Sequence, residues 1–402
     1  MNARSEKRFP LEGIRIIDLS HMMAGPSCTL MLADQGAEVI KVEPPGRGEL
    51  SRSVGNVYVG GESTVYLSLN RNKKSLTLDL KHPKGKEVLL KLVKTADVFM
   101  ENMRPGAIDR LGLGYEDLRK INARLVYCSI SGFGQKGRYA HKTAMDGVVQ
   151  AMAGVMSVTG EEDGGPCRAG VNIGDIMGGL MAVQGILMAL LSRERTGVGQ
   201  KVETSLFYAT MPALLPREGE FFVTGELVPR RGSAMPNMEP CRALKTKDGK
   251  YALIYVFNES FWQNLARALD HEEWTADPRF KTNSDRVRNR KELVAILEKE
   301  FARRTRDEIL KLLDEGDVPS APVYDFRELF SDPQVVEDEM VIELPHPTVG
   351  PYKTVGNPLW FSNAPRARKN PPPLLGQHTE ELLAEIGYSE EEIKALKAEK
   401  II

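Results

Sequence analysis

The chain of 402 residues is 27% charged and 42% hydrophobic, and it carries a formal net charge of -1 at pH 7. This composition is typical of a globular protein and argues against a disordered or membrane-embedded chain. The length favours two domains, and the near-zero net charge provides no basic field that would favour nucleic-acid binding.

The spacing of the cysteines and the N-terminal sequence indicate the cellular compartment in which the protein is expected. The four cysteines are far apart and form no Cys-x-x-Cys pair, which argues against a zinc site and against a disulfide framework. The polar segment Met1–Phe9 is not followed by an apolar stretch, so no signal peptide is expected. We therefore predict a cytoplasmic protein with no metal site.

Strand and helix patterns alternate through the first 130 residues. Apolar β-branched runs predict the strands, and apolar residues at helical spacing predict the helices between them. The predicted strands are 14–19, 38–43, 75–80, 97–100 and 125–130, and the predicted helices are one ending at Gly36, 84–95 and 115–121. Repeated strand–helix units predict an α/β fold with a parallel sheet, helices on both faces, and ligands beyond the carboxyl ends of the strands.

The sequence of the turn after the first strand bears on whether the chain binds a dinucleotide. A strand, a helix and a second strand ending in Glu43 form the outline of a dinucleotide-binding unit. The turn reads His21-Met-Met-Ala-Gly-Pro26, however, and lacks the Gly-x-Gly-x-x-Gly that holds a pyrophosphate. NAD binding is therefore disfavoured.

Basic residues gather in the segments that lead to or from the carboxyl ends of the predicted strands. They are Arg47, Arg52, Arg104, Arg110 and the cluster Asn70-Arg-Asn-Lys-Lys74. Such groups suit a phosphorylated ligand. Solvated loop charges without a function explain the pattern equally well, and both interpretations stay open at this point.

A single acid, Asp175, follows Gly174 and precedes the uncharged run 176–192. Asp175 is either an ordinary helix N-cap or a carboxylate exposed for chemistry at a helix start. The run is long enough for a membrane span, but its three glycines and Gln184 favour a buried helix with close packing in a soluble protein.

The second half of the chain has a different organisation. Prolines interrupt 207–243, which predicts a linker, and Lys247-Asp-Gly-Lys250 predicts a hairpin turn. Helices are predicted at 261–269, 291–301 and 306–315, the last behind the capping box Thr305-x-x-Glu308. We predict a large domain from 1–206, a linker at 207–243, a small α+β domain at 244–330, and a return linker with the rest of the large domain at 331–402.

Several motifs in this order resemble the class III CoA-transferase family, which includes formyl-CoA transferase, carnitine CoA-transferase and α-methylacyl-CoA racemase. They are Leu11-Glu-Gly-Ile-Arg-Ile-Ile-Asp18, Ala24-Gly-Pro26, Gly36-Ala-Glu-Val-Ile-Lys-Val-Glu43, Asn70-Arg-Asn-Lys-Lys-Ser75, Ser131-Gly-Phe-Gly-Gln135, Gly174-Asp175, Thr196-Gly-Val-Gly-Gln200 and Leu374-Leu-Gly-Gln-His-Thr379. The resemblance covers nearly the whole chain. It implies a Rossmann-like large domain built from both termini, a small domain, and an interlocked homodimer.

The resemblance also implies a mechanism and a site. Asp175 falls on the family's catalytic aspartate, which attacks an acyl-CoA thioester to give a mixed anhydride and then an aspartyl-CoA thioester that an acceptor acid opens. Positions that line the CoA site in the family fall on His21, Leu78, Lys81, Asn102 and Arg110. The implied partners are an acyl-CoA donor and a carboxylic acid acceptor, with no permanently bound cofactor, no nucleic acid and no membrane. Backbone N–H groups near Gly174 are expected to stabilise the oxyanion.

The chain departs from its family at the acyl end of the site. Met145-Asp146 stands where the racemases have a His-Asp pair, and methionine carries no proton. The formyl-CoA transferases have glutamine at Met23, tyrosine at Met145, an arginine at Pro44 and a glycine-rich small-domain loop that is absent here. We expect Arg47 to replace the missing arginine. We also expect Met22, Met23, Met145 and Asp146 to line a substrate pocket for acyl groups larger and more apolar than formate or oxalate.

Three functions remain in competition. The first is an acyl-CoA:carboxylic acid CoA-transferase, and the second is an acyl-CoA racemase or epimerase, which Met145 disfavours. The third is a non-catalytic CoA- or dinucleotide-binding protein, which Gly174-Asp175 and the missing glycine motif disfavour. The sequence does not identify the donor or the acceptor acid.

Overall fold

The computed structural model describes residues 8–402, so the first seven residues, where no signal peptide is expected, lie outside the described part. The strands are β1 (Arg15–Asp18), β2 (Glu38–Glu43), β3 (Tyr58–Val59), β4 (Glu62–Ser63), β5 (Lys73–Thr77), β6 (Val98–Glu101), β7 (Val126–Ser131), β8 (Lys201–Ser205), β9 (Cys241–Lys245), β10 (Tyr251–Tyr255), β11 (Ser320–Pro322), β12 (Val341–His346) and β13 (Gly350–Val355).

The α-helices follow the same chain order. They are α1 (Ala24–Asp34), α2 (Thr64–Leu69), α3 (Pro83–Val93), α4 (Ala107–Arg110), α5 (Tyr115–Ile121), α6 (Asp146–Met152), α7 (Val155–Val158), α8 (Ile173–Thr196), α9 (Leu206–Thr210), α10 (Arg217–Thr224), α11 (Glu259–Ala268), α12 (Asn283–Arg288), α13 (Arg290–Phe301), α14 (Arg306–Glu315), α15 (Phe326–Ser331), α16 (Pro333–Glu337), α17 (Thr379–Glu385) and α18 (Glu390–Ala398). Short 3₁₀ turns cover Leu50–Arg52, Met211–Leu214 and Glu272–Thr275.

The chain divides into two compact units. The first takes the chain up to Val155, Ala169–Pro216 and Gln334–Ile402, and the second takes Met156–Arg168 and Arg217–Pro333. The first unit is therefore assembled from both halves of the chain. The stretch 207–243, predicted as a linker, contains most of α9 and all of α10.

The first unit is built around a six-stranded sheet with the order β5-β2-β1-β6-β7-β8. All neighbouring strands pair in parallel. This arrangement confirms the predicted α/β fold class. After β1, the chain adds β2 and β5 on one side of β1 and then β6, β7 and β8 on the other side. The strand order therefore reverses between β1 and β6. Ligands of such sheets bind at this reversal, beyond the carboxyl ends of the strands.

Strand side chains bury a hydrophobic layer on each face of the sheet. Ile17, Ile40 and Phe99 face one layer, which is completed by α3, α5, α17 and α18. The residues one position earlier, Ile16, Val39 and Val98, face the other layer, which is completed by α1 and α8. Because successive strand residues point to opposite faces, the continuous apolar runs of these strands reflect burial on both sides.

Helix α8 packs closely on its neighbours through its glycines. A Cβ added at Gly178 would lie 2.6 Å from Leu206 Cδ2, and one added at Gly179 would lie 2.9 Å from the backbone oxygen of Ala24. A larger residue at either position would therefore push the elements apart. The predicted close packing of this helix is confirmed.

Length and composition alone would allow α8 to cross a membrane, and it is the one helix within residues 8–402 of which this is true. Its glycine face nevertheless packs on α1, and Arg193 near its end is buried and pairs with Asp97 at 2.9 Å. These contacts are typical of a helix packed inside a domain. The absence of a membrane partner stays a prediction.

The second unit has its own core around the antiparallel sheet β11-β10-β9. The predicted hairpin joins β9 to β10, and the capping box of Thr305 and Glu308 begins α14 as predicted. Trp262, Phe280 and Phe301 are among the large side chains buried against this sheet.

Candidate active site

The loops after β1 and β6 meet at the point where the strand order reverses. His21 follows β1, and its backbone N–H donates to Asn102 Oδ1 at 2.9 Å. Asn102 follows β6, and its Nδ2 donates to the backbone oxygen of His21 at 2.8 Å. The two loops are therefore joined by a reciprocal pair of hydrogen bonds at the expected ligand position.

A cavity of about 480 Å³ opens beside this pair, within the usual size range of small-molecule sites. Its lining is Leu19, Ser20, His21, Val42, Glu43, Pro44, Arg47, Gly48, Glu49, Leu50, Ser53, Leu78, Asp79, Leu80, Lys81, Met103 and Leu111. Four residues predicted to bind CoA line it, namely His21, Arg47, Leu78 and Lys81. The other two lie beside it, because Asn102 is bonded to His21 and exposed Arg110 precedes Leu111.

Three of the basic residues form structural ion pairs within the fold. The interpretation of these residues as ligand-binding groups is therefore wrong for Arg52, Arg71 and Lys73. Each of the three is occupied by a buried acid. Arg52 Nε bonds Glu43 at 2.7 Å, Arg71 Nη2 bonds Asp34 at 2.6 Å, and Lys73 Nζ lies 3.4 Å from Asp18. Opposite charges that are paired in the interior cannot also neutralise a ligand without leaving a buried charge behind.

Other cations around the cavity remain available. Arg47, Lys81, Arg104 and Arg110 are exposed, and within residues 8–402 no acid forms an ion pair with any of them. Burial lowers the pKa of His21, although nearby Glu49 opposes this, and the shift favours the neutral imidazole. The cavity therefore combines an apolar wall with exposed cations near its rim, as a phosphorylated ligand requires.

Asp175 lies in the first turn of α8 and is partly buried. The helix begins at Ile173 with Asn172 as its N-cap, so the interpretation of Asp175 as the N-cap is wrong. Burial and the nearby Asp146 carboxylate raise the pKa of Asp175 to about 6. Within the described residues no hydrogen bond reaches its carboxylate, so the charge is poorly stabilised.

Asp146 supplies the cap that α8 lacks. Its Oδ1 accepts the backbone N–H of Gly174 at 2.8 Å and that of Asp175 at 3.3 Å. The expectation that N–H groups near Gly174 stabilise an oxyanion is therefore wrong, because both are already engaged. Asp146 is itself buried, so the structure gives it a supporting position rather than an open face in a pocket.

Gln150 completes this support and was not singled out from the sequence. Its Nε2 donates to Asp146 Oδ2 at 2.6 Å and to the backbone oxygen of Val171 at 3.1 Å, and its Oε1 accepts the N–H of Ala169 at 2.9 Å. The available signal was the Asp–Gln spacing of four residues on one helix, which brings the two side chains together.

The three predicted pocket methionines have different environments. Met22 has a left-handed backbone with φ of 66°, and Met23 is the N-cap of α1. Asn172 Nδ2 approaches Met23 Sδ at 3.0 Å, which links the start of α1 to the start of α8. Met145 is 70% exposed just before α6, so it is free to meet a substrate but is not part of a formed pocket in this chain.

Asp175 and the start of α1 lie on facing surfaces. Residues three and four positions apart share a helix face, so Asp175 is one turn before Gly178 and Gly179 on the surface that meets α1. Gly179 contacts the backbone of Ala24 and the side chain of Ser27. The first N–H groups of α1, including those of Ala24 and Gly25, have no partner within their helix.

No cluster of three or more His, Cys, Asp or Glu side chains that could hold a metal ion occurs within residues 8–402. The site described above consists of a carboxylate, a cavity with cations at its rim, and unpartnered helix N–H groups. This combination suits nucleophilic attack by a carboxylate on an activated acyl group.

Comparisons with known proteins identify relatives of this chain. A succinyl-CoA:glutarate CoA-transferase of Mus musculus is 40% identical over 394 residues, which are 98% of this chain and 90% of that protein. A formyl-CoA:oxalate CoA-transferase of Streptomyces coelicolor is 37% identical over 98% of this chain and 99% of its own length. The crystal structure of a CAIB/BAIF family protein from Brucella suis superposes with a TM-score of 0.87 at 36% identity, covering 94% of this chain and 100% of that one.

The family resemblance inferred from the sequence motifs is thereby confirmed. Residues 11–379 match CoA-transferase family III, a range that covers most of the first unit and the whole of the second. This chain belongs to CoA-transferase family III and is a CoA-transferase.

Proposed function

We propose that this protein transfers CoA from an acyl-CoA to a free carboxylic acid through covalent intermediates on Asp175. The observation that carries the proposal is the state of that carboxylate. It is partly buried, receives no hydrogen bond from a described residue, and has its pKa raised to about 6. At pH 7 about nine-tenths of it is ionised, so no general base is needed to activate it.

The reaction proceeds by four substitutions at acyl carbons. The Asp175 carboxylate attacks the thioester carbonyl and the C–S bond breaks. CoA departs as the thiolate, and a mixed anhydride forms on Asp175. The thiolate attacks the aspartyl carbonyl, which releases the donor acid and forms an aspartyl-CoA thioester. The acceptor carboxylate then displaces the thiolate to give a second anhydride, and the thiolate attacks the acceptor's carbonyl, which frees Asp175.

Each substitution places negative charge on a carbonyl oxygen, and the start of α1 packs on the α8 surface that carries Asp175 one turn earlier. The N–H groups of Ala24 and Gly25 lie at the positive end of the helix dipole, which favours an anion. Because Gly174 and Asp175 give their own N–H groups to Asp146, α1 is the better source of oxyanion stabilisation.

Several relatives are named for succinate and glutarate, and Arg104 suits such dicarboxylic acids. Its exposed guanidinium has no acidic partner within residues 8–402, and its Nη2 donates to Thr143 Oγ1 at 3.4 Å, two residues before Met145. A dicarboxylate of the length of succinate or glutarate has a second carboxylate that an arginine binds well. Arg104→Gln should raise KM for glutarate but not for a monocarboxylic acid, whereas Arg138→Gln, another exposed cation, should leave both unchanged.

The exposed face of α8 supports the proposal of a homodimer. Leu180, Leu187, Met188 and Leu191 follow one another at helical spacing and are 40% to 64% exposed in the single chain. A contiguous apolar stripe on a long helix is typical of an interface with another copy. Interlocking of the two subunits and a cytoplasmic location, which rests on the free cysteines, belong to the same proposal.

One experiment separates the three candidate functions. The protein is incubated in D₂O with succinyl-CoA, with and without glutarate, and the CoA esters are analysed by mass spectrometry. A transferase forms glutaryl-CoA only when the acid is added, and it incorporates no deuterium. Incorporation of deuterium at the α-carbon without acid would identify a racemase, and the absence of both reactions across a panel of donors and acids would indicate a binding protein.

A further inference from the structure

The turn that follows β1 is held by side chains from three other segments. Lys41 Nζ donates to the backbone oxygen of Ser20 at 2.8 Å, and Asn102 bonds both the N–H and the oxygen of His21. The backbone N–H of Met22 donates to Glu49 Oε2 at 3.2 Å. Backbone groups of three successive residues are therefore fixed from outside the turn.

This turn has a conformation that its own sequence does not favour. Met22 has φ of 66°, in the left-handed region where a side chain other than glycine is strained. Such a backbone persists only where the surroundings hold it. A Cβ at Gly25 would collide with the side chain of Ser20, so the start of α1 also approaches the turn closely.

Glu49 is the central member of this support. It is buried, its carboxylate accepts the backbone N–H of Ser51 at 2.8 Å as well as the Ser51 hydroxyl, and its Oε1 lies 3.8 Å from Lys41 Nζ. Lys41 is fully buried. One carboxylate thus fixes Met22 directly and, through Lys41, the oxygen of Ser20.

The held turn connects the two halves of the site. His21 lines the cavity, and Met23 caps α1 and contacts Asn172 at the start of the helix that carries Asp175. A displacement of the turn would move the cavity wall and both helix starts relative to each other. Reactions of this type are sensitive to such changes, because a misplacement of about 1 Å can cost about 100-fold in rate.

We infer that Glu49 and Asn102 are positioning residues for transfer: they hold the 20–22 turn so that the bound thioester, the start of α1 and Asp175 are correctly aligned. This inference rests on the proposed function. It differs from the role expected for Asn102 from the family resemblance, since the amide oxygen and the amide nitrogen of Asn102 each bond to the backbone of His21.

The test uses the strained residue as an internal probe. Glycine adopts positive φ without strain, so Met22→Gly should make the turn depend less on Glu49. Glu49→Gln should lower kcat by about tenfold or more while KM for the acyl-CoA stays within about threefold. In the Met22→Gly background, the same Glu49→Gln change should lower kcat by less than about threefold.

Asn102→Ala should behave like Glu49→Gln, and Glu12→Gln, which changes an exposed acid outside the turn, is the matched control. Circular dichroism and the CoA dissociation constant establish that each variant is folded and binds. A raised KM with unchanged kcat would overturn the inference and show that these residues bind CoA. An equal loss of kcat in both Met22 backgrounds would also overturn it. The absence of a covalent intermediate on Asp175 in the wild-type protein would instead refute the proposed function.

Discussion

Asp175→Asn is expected to stabilise the folded protein while abolishing transfer. The variant keeps the shape of the side chain and removes a charge that the fold stabilises poorly. The pKa of Asp175 rises from 3.8 to about 6, and each unit corresponds to about 1.4 kcal/mol, so the cost of the charge is at most about 3 kcal/mol.

The sign of the pH dependence follows from linkage. Because the folded carboxyl has the higher pKa, the folded state binds more protons between about pH 4 and 6, and wild-type stability falls as pH rises through this window. The asparagine variant has no such loss. Its advantage should be near zero below about pH 4 and complete above about pH 6.

The assay is urea unfolding of wild type and variant at several pH values from about 4 to 8, followed by intrinsic fluorescence and compared as a difference. Glu12→Gln, which removes an exposed acid, is the control and should show no pH-dependent difference. A variant that is equally or less stable than wild type at pH 8 would refute the view that Asp175 is held as a poorly stabilised anion.

Three further predictions concern activity and assembly. Asp146→Asn keeps the oxygen that caps α8 but removes its charge. In wild type we expect kcat/KM to fall near pH 6 as Asp175 is protonated, and in the variant this fall should move to lower pH. An unchanged pH profile would contradict the electrostatic coupling of the two carboxylates. Met23→Gln should lower kcat/KM for the physiological acyl group, and an unchanged value would show that Met23 does not line the pocket. Leu187→Glu should dissociate the proposed homodimer in ultracentrifugation at micromolar concentration, whereas Glu12→Gln should not; a wild-type monomer would refute the dimer.

Local pattern was sufficient for much of the fold. The strand 38–43, the helix 115–121 and the capping box at Thr305 lie where the sequence predicts them, because burial periodicity and capping are properties of neighbouring residues. The observed ends of an element differ from the predicted ends where contacts with distant residues determine them. The strand predicted at 75–80 runs from Lys73 to Thr77, since its first residues pair with Val39 and Ile40 of the adjacent strand.

The basic residues show why the site was less predictable. Arg71 and its partner Asp34 are 37 positions apart, and Lys73 and Asp18 are 55 positions apart. No local pattern distinguishes such buried pairs from cations available to a phosphate. The sequence pattern therefore indicated the correct region of the sheet but could not sort Arg52 and Arg71 from Arg47 and Arg110.

The environment of Asp175 is likewise set by distant residues. Burial raises the pKa of Asp175, and the Asp146 carboxylate, 29 positions earlier, raises it further and caps its helix. The turn opposite is fixed by Glu49 and Asn102. Motif comparison identified Asp175 and Asn102 as site residues. It assigned Asn102 to CoA and left Glu49 and Gln150 unnoticed, because their roles depend on contacts between loops.

Covalent trapping shows directly whether Asp175 forms an acyl intermediate. Wild-type protein is mixed with succinyl-CoA and hydroxylamine, digested and analysed by mass spectrometry, with Asp175→Asn and protein lacking acyl-CoA as controls. Both the anhydride and the aspartyl thioester react with this amine, so we expect a hydroxamate on Asp175 that requires acyl-CoA. Labelling of a different residue, or full transfer activity in Asp175→Asn, would contradict it.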